Sequence, residues 1–206
     1  WDYLVRRDKY KKKRNFLMKS KTNKVIMLCL TALFTALIAV GAYIKIPAFP
    51  VPITLQTFFV ILSGILLGKN YGSLSVMVYI FLGLLGLPVF SSGGGIHYVL
   101  NPSFGYITGF VLCSFIVGYL VHKKENPSFK RIFFSSIIGV FLIYLVGMIY
   151  YVIILNLFTD NADLSFKTII VSGFLIFIPL DVVICIIASL ISKRLIPYTK
   201  KYRKKS

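Results

Sequence analysis

Long apolar stretches separated by short charged ones constrain this chain more than any single residue does. Six can be marked in the 206 residues: Val25 to Ile44, Ile53 to Leu67, Tyr71 to Val89, Pro102 to Val121, Ile132 to Phe158 and Phe166 to Ile191. About 20 apolar residues cross a bilayer core, and lipid offers backbone groups no outside partners, so runs of this length are helices. The second run is short, and its start is expected near Pro50 or Pro52. Composition agrees: 57% of residues are hydrophobic, 15% are charged and the mean hydropathy is +0.82. Globular chains are about 45–50% apolar and about 25% charged. The expected fold class is all-α: a polytopic membrane protein built as a six-helix bundle over residues 25–196, with basic tails at 1–24 and 197–206.

A net charge of +18 invites a nucleic-acid reading, but the placement of the charges argues against one. Ten of the 24 Lys and Arg residues precede Val25, four lie in "HKKENPSFKR" and seven follow Ser192. These clusters flank apolar runs instead of covering a folded face, which is what phosphate recognition needs. With the N-terminus inside, 22 of the 24 cations fall on the cytoplasmic side and only Lys45 and Lys167 outside, which predicts that both termini are cytoplasmic. No cleavable signal is evident before "GAYIKIP". Met18 opens the compact start "MKSKTNKVIML"; residues before it read as upstream sequence or, if translated, as a disordered basic arm able to lie on anionic lipid. Cys29, Cys113 and Cys185 sit in apolar segments at unrelated spacings, so they are expected in the core, with no disulfide or metal pattern.

Polar residues inside the apolar runs are the functional candidates. Asp181, in "GFLIFIPLDVVICIIASLI", is the only carboxylate deep in one of them. A charge at mid-membrane costs about 2.5–3.5 kcal/mol on insertion scales, so such a residue marks a ligand pathway unless it only bonds helices together. Tyr144 and Asn156 in the fifth run are placed to hydrogen-bond toward it, or toward each other. The first external loop, "IKIPAFPVPITLQTF", carries Lys45, Gln56 and three prolines, Pro47, Pro50 and Pro52, that forbid regular helix. It reads as a stiff pocket wall or a plain connector with a snorkelling lysine. A second external stretch holds Gly93 to Gly95, expected to be mobile, with Ser91, Ser92, His97 and Asn101 as neutral polar groups. Such a loop suits a lid over a ligand.

Small residues point to close packing. Thr31, Ala32, Thr35, Ala36 and Ala39 fall along the first helix, and Gly105, Gly109 and Cys113 recur at every fourth position of the fourth segment. In membranes such faces let helices approach, within the bundle or onto a partner. Enzyme signatures are lacking. "GILLGKN" has three residues between its glycines where a phosphate loop has four, and Asn stands in place of Ser or Thr. Two histidines cannot form a three-His zinc site, and no second buried acid accompanies Asp181.

Four stretches together give the chain a family resemblance: "TALFTALIAVGAYIKIPAFPVPITLQTFFVILSGILLG", "GLLGLPVFSSGGG", "NPSFGYITGF" and "FIPLDVV". They resemble the BioY family, the biotin-binding S components of energy-coupling factor (ECF) transporters, from about Thr31 to Leu190. The resemblance implies a six-helix subunit that captures biotin from outside. It would work with a transmembrane coupling protein and ATPase subunits and need no cofactor of its own. It further implies that Ala32 and Ala36 dock on the coupling protein. Substrate contacts are expected from Asp181, Asn101, Gln56, Lys45, Tyr144, Asn156 and Ser92. An ionised Asp181 would accept hydrogen bonds from the ureido N–H groups, and Lys45 or loop amides would receive the biotin carboxylate. One departure stands out: the family motif in the last helix reads Asp-x-x-Lys, whereas this chain has Ile184 where the lysine falls. A related ligand such as dethiobiotin, another vitamin, or a non-transport membrane interaction protein are the alternatives.

Overall fold

The structure, a computed structural model, describes residues 2–47, 51–158 and 177–203, with side chains from residue 21 onward except at 158. The elements run α1 (Asp2–Tyr43), β1 (Lys45–Ile46), β2 (Ile53–Thr54), α2 (Gln56–Leu84), a 3-10 turn (Ile96–Leu100), α3 (Phe104–His122), α4 (Phe129–Phe158) and α5 (Ile178–Lys200). Among the described residues four helical stretches are long and apolar enough to cross a membrane, Lys21–Tyr43, Gln56–Leu84, Phe104–His122 and Phe129–Leu157, the second by its summed length, because it breaks at Gly68. Residues 166–176 of the sixth apolar segment lie outside the described residues, as do Pro50, Asp160, Asp163 and Lys167.

The break expected between Leu67 and Tyr71 falls at Gly68, whose φ of 83° and ψ of 176° interrupt α2. There the chain reverses. A Cβ on Gly72 would lie 2.9 Å from the Gly64 Cα, and the Gln56 side chain reaches Tyr79 at 2.6 Å. Residue pairs converging on one midpoint are the mark of two antiparallel arms. Only glycine takes this φ without strain. The first arm starts at Gln56, not at Pro50 or Pro52, because residues before it pair as a two-stranded hairpin, Lys45 opposite Thr54 and Ile46 opposite Ile53.

Glycines set how closely the central helices approach. The Cα of Gly109 faces the backbone of Ile143 on α4, where an added Cβ would meet the Ile143 Cα at 2.9 Å. Gly118 seats the α2 reversal on α3, and Gly64 packs on the Ser114 backbone. Thr35 crosses from α1 to donate to the Ser75 carbonyl of α2 at 2.9 Å.

Four expectations need correction. The residues before Met18 continue α1 as helix instead of forming a disordered arm: the segment has no Gly or Pro and is rich in Lys and Arg, so an established helix propagates through it. At the other end α5 runs on through Pro197 to Lys200, so helix persists into the span read as a tail. Cys29 is exposed, whereas Cys113 and Cys185 are buried. In a membrane helix, apolar character suits lipid as well as core, so it does not report burial. Finally, the glycine-rich loop is tied down. Phe90 and Gly93 exchange backbone hydrogen bonds, Gly95 N–H donates to the Gly83 carbonyl at 2.7 Å, and Phe90 is 1% exposed. Its glycines serve positive φ, 120° at Gly93 and 107° at Gly95, more than mobility.

Candidate binding site

Pro179 lies within the first two positions of α5, where its missing N–H costs nothing. Asp181 therefore falls in the first turn of that helix, its own N–H donating to the Phe177 carbonyl at 3.0 Å. The positive end of the helix dipole favours a carboxylate there. The side chain is buried, and the Tyr144 hydroxyl of α4 donates to one carboxylate oxygen. One turn further on, Ile184 is also buried, so the position of the family lysine is apolar core.

Asp181 and Tyr144 line a cavity that holds about 550 Å³ between protein atoms, its open mouth included. The hairpin supplies one wall through Thr54, and Gln56 and Thr57 extend it from the start of α2. Ser91 and Ser103 face it from the loop and from the start of α3, and Tyr106, Phe110, Ile143 and Phe177 make the apolar floor. The Tyr106 and Tyr144 rings meet edge to face at 6.4 Å, and Phe177 packs on Tyr144 at 6.0 Å. An acid and a few neutral hydrogen-bonding groups thus surround an aromatic-lined space. That suits a small, partly apolar molecule bearing N–H donors.

A polar chain runs from the lining residues into the protein behind them. Gln56 donates its amide to the Tyr79 hydroxyl at 2.6 Å, Tyr79 donates to the Val89 carbonyl at 3.2 Å, and Thr54 donates to the Gln56 carbonyl oxygen at 3.2 Å. Asn101 accepts from both the hydroxyl and the N–H of Ser103, at 2.8 and 3.0 Å. Tyr98 bridges Ser103 and Ser91 at 3.0 and 3.2 Å.

Of the residues singled out from sequence, Asp181, Tyr144 and Gln56 converge on this cavity. Asn101 stands behind it, orienting Ser103. Ser92 is exposed, and it is the neighbouring Ser91 that lines the space. Lys45 is exposed and donates to the Ser91 carbonyl, latching the hairpin to the glycine loop. Asn156 is exposed on α4, apart from the lining residues. Ala32 and Ala36 are exposed on α1, while Thr31 and Thr35 turn inward, so the row of small residues divides into an outer and an inner face. Ser103, Thr54 and Tyr106 were not singled out. The Asn-Pro-Ser sequence at 101–103 was the available signal, because Asn side chains accept from the backbone two residues on. Among the described residues no group of three or more His, Cys, Asp and Glu could hold a metal ion.

Comparison with known proteins gives a consistent result. The chain is 43% identical over 175 residues to the probable biotin transporter BioY of Lysinibacillus sphaericus, covering 85% of this chain and 89% of that protein. It is 43% identical to the biotin transporter BioY of Thermotoga maritima, covering 79% and 91%. The fold matches the crystal structure of the S-component for biotin from an ECF-type ABC transporter, with a TM-score of 0.73 and 31% identity, over 84% of this chain and 92% of that one. The family model described as "BioY family" matches residues 12–201, and the chain belongs to that family.

Proposed function

We propose that this chain is a multi-pass cell-membrane protein that captures biotin in the cavity between the hairpin, α3, α4 and the start of α5, as the substrate-specificity subunit of an ECF-type ABC transporter. The observation that carries the reading is the buried Asp181 carboxylate, held by Tyr144 and facing an aromatic-lined space in a member of the BioY family. Asp181 accepts hydrogen bonds from the ureido N–H groups, and the low dielectric strengthens such charge-assisted bonds. Tyr106, Phe110 and Phe177 bury the fused rings, and Gln56 and Ser103 contact the polar edges. Lys45 stands beside the mouth as a cation for the carboxylate tail, with Ser92 close by, and Asn101 acts through Ser103.

Six spans with both termini cytoplasmic fit the distribution of the cations. His122, Arg203, Lys200 and Arg131 gather at the end of the bundle opposite Lys45 and the cavity. The cavity then opens to the outside. Ala32 and Ala36 form the docking face for the coupling protein, and ATP is hydrolysed by partner subunits. Surrounding lipid is the remaining partner, and nucleic acid has no role.

Titration calorimetry of the detergent-purified chain against biotin tests the binding. Saturable heat is expected, and a folded protein giving none overturns the proposal. The buried Ile184 favours one second reading, recognition of a biotin precursor. A dethiobiotin titration run beside it, tighter than that of biotin, would reassign the substrate.

A further inference from the structure

At the end of the bundle opposite the cavity, two cations converge on one ring. Lys69 Nζ lies 5.6 Å from the centroid of the Tyr119 ring, and Lys123 Nζ lies 4.7 Å from it. The two lysines come from separate elements, the α2 reversal and the residue capping α3. Gly118 makes the convergence possible, since its missing side chain lets the Lys69 backbone seat directly on α3. Among the described residues the ion pair nearby is that of Lys200 with Glu125, at 4.0 Å, and neither Lys69 nor Lys123 is paired with a carboxylate. Two like charges held around one ring repel each other, and an anion between them relieves that repulsion.

The setting specifies which anion. Tyr119 is 42% exposed and continues a row on the outer face of α3 with Phe115, 40% exposed, and Leu112, 46% exposed. Their spacing of three and four residues puts them on one side of the helix, and α3 is apolar enough to span a membrane. This face therefore meets acyl chains, with a tyrosine at the apolar–polar boundary where aromatic rings gather. A soluble anion would leave the apolar row unused, whereas an anionic lipid matches both parts.

We propose that Lys69, Tyr119 and Lys123 form a headgroup site for one anionic phospholipid, whose phosphate lies between the two ammonium groups and whose chains run along Phe115 and Leu112. The flexible lysine stems close on the phosphate as point charges. This site is separate from the cavity and does not depend on what the cavity binds.

Native mass spectrometry of the full chain released from mixed phosphatidylcholine and phosphatidylglycerol nanodiscs tests it. The wild type is expected to retain one phosphatidylglycerol with a preference of roughly 30-fold over phosphatidylcholine, the effect of two lysines near a membrane surface. The Lys69→Gln, Lys123→Gln double variant is expected to bring that preference close to one. A Lys124→Gln, Lys130→Gln variant, with the same change of charge at the same end, is expected to keep it. The wild-type measurement stands without any variant, so equal retention of the two lipids overturns the site outright. Equal loss in both double variants assigns the preference to bulk charge and also overturns it. Displacement of the retained lipid by inorganic phosphate as readily as by added phosphatidylglycerol makes the occupant a soluble anion, against the proposal.

Discussion

Tyr144 donates a hydrogen bond from the inner face of α4 to the carboxylate of Asp181, in the first turn of α5. The two side chains share the cavity wall, so the acid enters the site already oriented. Two devices place it there. Pro179 fixes where the helix begins, and the helix dipole favours negative charge in its first turn. A carboxylate so held has lone pairs left for a ligand's N–H groups, since each oxygen accepts more than one hydrogen bond.

If that orientation serves recognition, Asp181→Asn should weaken biotin binding by about 10- to 150-fold, because a hydrogen bond to a charged group contributes about 1.5–3 kcal/mol. Tyr144→Phe leaves the acid in place but frees its rotamer, and a smaller loss of about tenfold is expected. Calorimetry on purified variants reads both. An Asp181→Asn protein that binds with the wild-type Kd removes the acid from the recognition scheme.

Binding and transport should separate at α1. Ala32 and Ala36 are exposed, while the neighbouring Thr35 is engaged with Ser75 inside the bundle. A bulky side chain at the outer positions thus meets a partner before it disturbs the fold. Ala32→Trp and Ala36→Trp are expected to abolish accumulation of labelled biotin in cells supplying the coupling and ATPase subunits. Biotin affinity of the purified variants should stay within about twofold, the range usual for surface substitutions within ±0.5 kcal/mol. Uptake that survives both substitutions assigns docking to another surface.

The helical membrane class and the buried position of Asp181 could be read from sequence because lipid imposes a simple rule. A carboxylate inside an apolar run is costly, and Asp181, Gln56 and Tyr144 stood out as polar groups among aliphatic ones. Tyr106 and Phe110 carry no such contrast, and only the packing of α3 on α4 shows that they line the cavity. Lys45 drew attention by its charge, yet the pairing of β1 with β2 turns it onto the Ser91 carbonyl. The hairpin itself was hidden by its prolines, which signal a stiff loop without saying that Lys45–Ile46 and Ile53–Thr54 will pair. Gly93 to Gly95 read as freedom because sequence does not distinguish a glycine needed for a positive φ from one left slack.

Contact between α3 and α4 at Gly109 should tolerate no side chain. A Cβ there would lie 2.9 Å from the Ile143 Cα and 3.1 Å from its carbonyl oxygen, and both neighbours are backbone. Relief would need the helices to part, pulling Tyr144 away from Asp181. Gly109→Val is expected to lower stability by about 1–3 kcal/mol, the usual cost of overpacking, and to weaken biotin binding in parallel. Thermal unfolding in detergent with and without ligand measures the two effects. An unchanged Tm shows that the interface has slack the geometry does not reveal.

The chain end should stabilise the α2 reversal without touching the ligand. Breaking the helix at Gly68 leaves the last carbonyls of the first arm without intrahelical donors. Two side chains answer them: His122 Nε2 lies 2.7 Å from the Ile65 carbonyl, and Arg203 Nη1 lies 3.4 Å from that of Leu66. Arg203 Nη1 is also 2.8 Å from His122 Nε2, but a ring nitrogen carries either a proton or a lone pair. If His122 donates to Ile65 it cannot accept from Arg203, so the guanidinium's task falls on Leu66 and on covering Gly68. Arg203→Met keeps the methylenes over Gly68 and removes every donor. It is expected to cost about 1 kcal/mol, or about 2–4 °C in Tm, with biotin affinity unchanged, because the cavity lies at the far end of both α2 arms. A Tm equal to wild type assigns the stabilisation of the reversal to His122 alone, and a loss of affinity larger than the loss of stability would instead tie the chain end to the binding site.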